Sequence, residues 1–169
     1  MIVGLAFGLG YVIPDPDAGG SGSGSLGVRP GGGGRAVAST ALRNFGPRPL
    51  EIVRTSVEVP GAEVLDVRFI TDEQADRIMF PSYAVDFDEE SPDDQRADRP
   101  VVGPSDLVWI VVLFEPIDCG GALANVQANV AVTLRFSGPS FPPFTRTIDI
   151  DDNGDYWVDD ACAMNESMD

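Results

Sequence analysis

From Val126 to Phe136 the chain reads VQANVAVTLRF, and all its apolar residues except Ala131 fall at every second position. Val126, Ala128, Val130, Val132, Leu134 and Phe136 share one face of an extended strand, while Gln127, Asn129, Thr133 and Arg135 share the other. A helix turns about 100° per residue and would scatter these side chains around its axis. The run is therefore a strand with one dry face, and such a strand needs a sheet and an opposing layer.

The neighbouring sequence supplies both. SGPSFPP, Ser137–Pro143, is rich in turn formers, and FTRTIDI returns with Phe144, Ile148 and Ile150 in phase, which predicts a hairpin. Upstream, ALRNFGPRPLEIVRTSVEV predicts a strand ending near Asn44, a turn through Gly46 to Pro49 and a second strand from Leu50 to Val59. PGAEVLDVRFI adds another, with Leu65, Val67 and Phe69 facing one way. LVWIVVLF, Leu107–Phe114, is apolar on both faces and reads as a central strand. Its second face is expected to lie under the irregular stretch 72–104 or under a partner protein. With 19 Gly and 14 Pro as punctuation, the chain predicts an all-β sandwich of about seven strands over residues 35–164, with a short tail at 165–169.

The first 34 residues are expected to stand apart from that sandwich. MIVGLAFGLGYVI, residues 1–13, is apolar but as a helix spans only about 20 Å of a hydrocarbon core about 30 Å thick. It reads first as the end of a membrane anchor, with a signal-peptide core and a buried first strand as the competing readings. Residues 14–34 are dominated by Gly and Ser and read as a flexible tether holding the domain roughly 25 Å from its anchor. GSGSLG, Gly22–Gly27, satisfies a dinucleotide fingerprint only as a string, because neither a strand before it nor a helix after it is predicted.

Charge and residue types exclude most activities. A net charge of −16 opposes nucleic acid and anionic lipid alike, both of which select cationic surfaces. All 11 basic residues are Arg, and the chain has neither Lys nor His. Ser-His and Cys-His pairs, imidazole metal ligands, Schiff bases and the phosphate-binding lysine are thereby removed. A carboxylate pair facing across about 5 to 10 Å, as in glycoside hydrolysis, is the remaining catalytic option. The acidic run DFDEESPDD, Asp86–Asp94, offers such groups but reads as a solvated loop.

Two features carry candidate chemistry. Cys119 and Cys162 are the only cysteines, too far apart in sequence for a CxxC site, which leaves two buried thiols or one disulfide. In TIDIDDNGDYWVDD, Thr147–Asp160, the residues from Asp149 onward fit D-x-D-x-N-G-x5-D, the pattern of an oxygen-donor loop. The tentative calcium ligands are Asp149, Asp151, Asn153, the Asp155 carbonyl and Asp160. The same letters also spell a hairpin turn at Asn153-Gly154 with YWV as the following strand. Both flanks are predicted to be strands, so the site would not be an EF-hand, and the solvated turn is the favoured reading.

The order of a hydrophobic anchor, a Gly-rich tether, LRNFGPRPLEI, VWIVVLFEPIDC, VAVTLRFSG and DDACA resembles extracytoplasmic immunoglobulin-like domains of actinobacterial membrane-anchored proteins. The likeness covers Ala36–Ala163 and is most specific in the N-x-G-x-x-P-L turn at Asn44–Leu50 and in the two cysteines. It implies an immunoglobulin-like sandwich, a Cys119–Cys162 disulfide and a location outside the membrane. The function expected on these grounds is a noncatalytic binding or structural module of the cell envelope, without a cofactor and with a protein or glycan as partner. A calcium-dependent adhesive module is the alternative, and a carboxylate-based glycan hydrolase a distant third.

Overall fold

The computed structural model describes residues 18–20, 29–32, 34–71, 100–121, 126–138, 145–150 and 157–166. These form nine strands and one helix: β1 (Ala18–Gly20), β2 (Arg29–Gly32), β3 (Arg35–Asn44), β4 (Leu50–Glu58), β5 (Ala62–Thr71), β6 (Val101–Val102), β7 (Leu107–Pro116), β8 (Asn129–Phe136), β9 (Thr145–Ile150) and α1 (Trp157–Glu166). One antiparallel sheet runs β1-β3-β7-β5, with β2 also on the free side of β3, and the other runs β6-β4-β8-β9. The fold is thus a sandwich of two antiparallel sheets with little helix.

The predicted alternation sets the core. Val130, Val132, Leu134 and Phe136 of β8 are buried, and they meet Ala36, Ala38 and Leu42 of β3 and Val108, Ile110, Val112 and Phe114 of β7 across the gap between the sheets. The hairpin β8–β9 has Val132 opposite Ile148, with a Thr133–Thr147 hydroxyl contact of 2.9 Å on its wet face. On that face, too, Arg135 grips Glu51 of β4 through two hydrogen bonds of 2.9 and 2.8 Å. Pairs of this kind fix register more than they stabilise, since exposed ion pairs contribute little.

β7 lies between β3 and β5, and both of its faces are buried as expected. On the side away from the second sheet, Trp109, Val111 and Leu113 cluster with Val37, Ala41 and Ile70. The Asp66–Arg68 ion pair, 2.9 Å, belongs to this region, and its guanidinium is buried. The stretch expected to shield this face lies for the most part outside the described residues.

Three expectations change. Leu65 does not share a face with Val67 and Phe69: a bulge between Val64 and Asp66 shifts the phase, so Val64 turns inward and Leu65 is 40% exposed. A bulge adds one residue to one strand, and a period-two reading carried through it inverts. Trp157 and Val158 of YWV are not in a strand: they open α1. Within the expected tether, Ala18–Gly20 and Arg29–Gly32 pair with Leu42–Asn44 and Arg35–Val37 of β3. Composition weighs side chains, whereas an open strand edge offers backbone donors and acceptors that glycine satisfies as well as any residue.

The two sheets are joined at the β3–β4 corner by a buried amide. Asn44 is 1% exposed. Its Nδ2 donates to the carbonyls of Arg48 (2.8 Å), Val102 (3.1 Å) and Gly103 (3.1 Å), and its Oδ1 accepts from the Gly46 N–H (2.9 Å). The backbone of Asn44 exchanges bonds with Asp106 O (3.0 Å) and the Ser105 N–H (2.9 Å). Ser105 holds φ at 66° to present that N–H, a left-handed conformation that costs a non-glycine residue about 1 kcal/mol. Arg48 then lies 4.3 Å over the Phe136 ring, and Pro49 O receives the Ser137 N–H at 2.9 Å.

Asn44→Ala orphans several buried groups together and is expected to destabilise the fold by about 3 kcal/mol. A fall in melting temperature of about 6 to 12 °C follows for a chain of this size, and a shift below that of an ordinary surface substitution refutes the role. Deleting residues 1–34 is expected to lower the melting temperature by only a few degrees, because ordering glycine cancels most of what its hydrogen bonds contribute. It should also produce concentration-dependent association through the bared edge of β3, read by sedimentation.

Candidate functional site

Two regions of the sandwich hold the candidate chemistry, one at each side. The first is the junction of β9, α1 and the end of β7. In α1 the residues at i, i+1, i+4 and i+5, namely Trp157, Val158, Ala161 and Cys162, are buried in the main core, while Asp159, Asp160 and Ala163 face solvent. That spacing is one stripe of a helix. The helix lies against β2, β3 and β7, and the Trp157 ring stacks on Phe114 at 6.1 Å between centroids with planes 22° apart. Such a contact adds about 1 kcal/mol to area burial.

The helix places Cys162 beside the turn that leaves β7, and Cys162 is bonded there to Cys119. Their Cα atoms stand 5.7 Å apart and 43 residues separate them in sequence. Closing a loop of that length restricts the unfolded chain by about 4 kcal/mol on the chain-entropy estimate. The bond therefore holds a ten-residue helix that is too short to be stable alone in water.

Of the tentative calcium ligands, Asp149 is exposed on β9 opposite Ala131, and Asp160 lies in the first turn of α1. Asp151, Asn153 and Asp155 lie outside the described residues. The flanks are a strand and a helix, in place of the two strands expected. The helix gives Asp159 and Asp160 a role without metal, since carboxylates in a first turn are favoured by the N-terminal partial charge. Among the described residues no three His, Cys, Asp or Glu groups are close enough to hold a metal ion. The acidic run Asp86–Asp94 also lies outside the described residues.

The second region was not legible as a site. β6 pairs only with Leu50 and Glu51 of β4, and the Ile52 N–H goes to Pro100 O at 3.0 Å. Beyond them no described strand lies between β4 and β5. A cleft of about 330 Å³ there is lined by Ile52, Val53, Arg54, Thr55, Val57, Val64, Val67, Phe69 and Pro100. A bulge between Ile52 and Arg54 of β4 turns Thr55 and Val57 inward, opposite Val132 and Val130. Both are only half-buried, and so are Val64, Val67 and Phe69 across the gap. The hydroxyl of Thr55 is buried without a hydrogen-bond partner. Among the described lining residues the one charged group is Arg54. Only the run of weakly hydrophobic inward positions, Thr55 and Val57, marks this region in sequence.

No protein-family model matches the chain, and no curated protein does.

Calcium and magnesium chlorides at equal ionic strength are expected to raise the melting temperature equally, through screening of the −16 charge. Asp151→Asn should leave both shifts unchanged. A calcium-specific rise of a few degrees that Asp151→Asn abolishes establishes instead a weak calcium site.

Proposed function

We propose that this chain is a noncatalytic binding or structural module of the cell envelope, carried outside the membrane on an immunoglobulin-like sandwich. The strand order supports the fold. In immunoglobulin-like domains one sheet carries strands A, B, E and D and the other C, F and G. The interrupted β1/β2, then β3, β7 and β5 correspond to A, B, E and D, and β4, β8 and β9 correspond to C, F and G. β6 adds to the free side of β4. The disulfide departs from the pattern of antibody domains, which joins B to F: here it links the end of β7 to a helix after β9. The likeness therefore speaks for architecture and leaves activity to the sites.

The observation that carries the location is the Cys119–Cys162 bond, because disulfides persist in oxidising compartments and are reduced in the cytosol. The apolar residues 1–13 supply the anchor on this reading. The absence of His and Lys removes the usual nucleophiles and bases, which supports binding over catalysis. The partner is a protein or glycan of the envelope, and the acidic surface turns away nucleic acid.

Mass spectrometry of nonreduced peptides from the exported protein is expected to recover Cys119 and Cys162 in one linked pair. Cys162→Ser should cost about 2 to 5 kcal/mol of stability. Free thiols in the exported protein would overturn the assignment outside the membrane.

A further inference from the structure

We propose that the Asn44 corner is a membrane-contact surface, which seats this end of the sandwich on the lipid bilayer that holds residues 1–13. The inference rests on reading residues 1–13 as the anchor and deepens it by fixing which end of the module faces the membrane. β1 runs antiparallel to β3 and begins at the corner, with Ala18 opposite Asn44. Residues 14–17 alone link the apolar stretch to β1. From Ile13 to Ala18 an extended chain reaches at most about 18 Å. The headgroup layer above the hydrocarbon core takes up about 5 to 8 Å of that, which keeps the corner within roughly 10 Å of the headgroups. The pairing of β1 thus cuts short the tether of about 25 Å expected from composition.

What the corner presents suits that place. Phe45 and Val101 are 54% and 56% exposed. Phe45 follows Asn44 directly, and Val101 precedes Val102, whose carbonyl accepts from the Asn44 amide. Pro47, Pro49 and Pro104 are exposed beside them, and proline has no N–H to strip of water on entering lipid. The hydrogen bonds of Asn44 already order both turns, so the apolar side chains enter the interface with little further loss of backbone freedom. Ile117 and Val126 are also exposed, but Ile117 is bonded to Gly61 at the other end of β7, about 30 Å away. The attachment at Ala18 selects between the two ends. Charge adds no attraction to anionic lipid. Exposed Arg43 and half-buried Arg48 are answered by exposed Asp106 and by Asp15 and Asp17 of the linking residues, and the net −16 opposes anionic headgroups. The partner is therefore a zwitterionic bilayer, entered by apolar side chains.

The test places the full-length, 15N-labelled protein in phosphatidylcholine nanodiscs that carry a gadolinium-chelating headgroup, and flotation on vesicles of the same lipid checks the anchor. The amide signals of Phe45, Gly46, Val101, Gly103 and Ser105 are expected to be lost, while those of Gly61, Ile117 and Val126 persist. Inserting about twenty Gly and Ser residues between Ile13 and Pro14, a coil of about 25 Å, separates contact from mere proximity. The lengthened protein should still lose the corner signals, and Phe45→Asp with Val101→Asp in that protein should restore them. Replacing part of the lipid by phosphatidylglycerol should not deepen the loss. Loss at the Ile117 end instead, equal loss at both ends, or corner signals that persist overturn the contact surface. So does a lengthened protein whose corner signals return without the substitutions or stay lost with them. Deeper loss with phosphatidylglycerol overturns the zwitterionic partner. Flotation together with a failed pattern removes the contact and leaves the anchored module standing. Failure to float removes the anchor and the contact with it, and the Cys119–Cys162 pairing still decides the location independently.

Discussion

The sandwich depends on one buried amide. β3 belongs to one sheet and β4 to the other, so the chain must turn a corner where backbone groups leave one ladder before joining the next. Such groups, taken from water, each cost on the order of 1 to 3 kcal/mol if unpaired. Asn44 sits at that point and has two donor hydrogens and an acceptor within reach of three carbonyls and an N–H. It satisfies its own corner through Gly46 and Arg48 and the β6–β7 turn through Val102 and Gly103. No apolar residue could serve both, and an acid would lack the donors. The resulting rigidity sets Arg48 against Phe136 and Pro49 against Ser137, so the corner also places the end of β8.

From that corner outward, the structure is a matter of which edges are covered. Each sheet has two edges. On one side β1 and β2 lie on β3 and β1 touches β9, so the two sheets meet. α1 packs Trp157 on Phe114 next to them, and the disulfide fixes it. Glycine supplies four of the seven residues of β1 and β2, and its backbone groups pair with the edge of β3 as well as those of any residue. The helix in turn gives β2 a partner that its own composition does not provide.

What the sequence disclosed follows from where period two survives. In β8, Val130, Val132, Leu134 and Phe136 are buried as the letters imply, and so is Ile148 of β9, but Val126 precedes the strand and is 41% exposed. β7 was legible because eight apolar residues in a row can only be covered on both faces. Where the period is broken by a bulge, as at Val64–Asp66, the letters misassigned Leu65; where strands are of two to four residues, as β1, β2 and β6, there is too little pattern to read. Trp157 and Val158 belong with β-forming residues by propensity and entered a helix because its stripe meets Phe114 and Cys119 in space, which no local window contains. The cleft escaped for the same reason: its walls come from β4 and β5, and half-burial is a property of the gap between them.

The asymmetry of the two sides bears on function. Natural sheets blunt their open edges with charge, bulges or short strands, and β4 shows all three: exposed Arg54 and Glu58, the bulge after Ile52, and the two-residue β6. Those devices discourage indiscriminate pairing, and the acidic surface discourages pairing with like molecules. Among the described residues they leave Val57, Val64, Val67 and Phe69 half-buried. Apolar area left unburied forgoes about 25 cal/mol for each Å². Helix, disulfide and two edge segments thus gather on one side of the sandwich, whereas among the described residues the other side carries only the two-residue β6, and the Asn44 corner that starts β4 holds the two sides at fixed geometry.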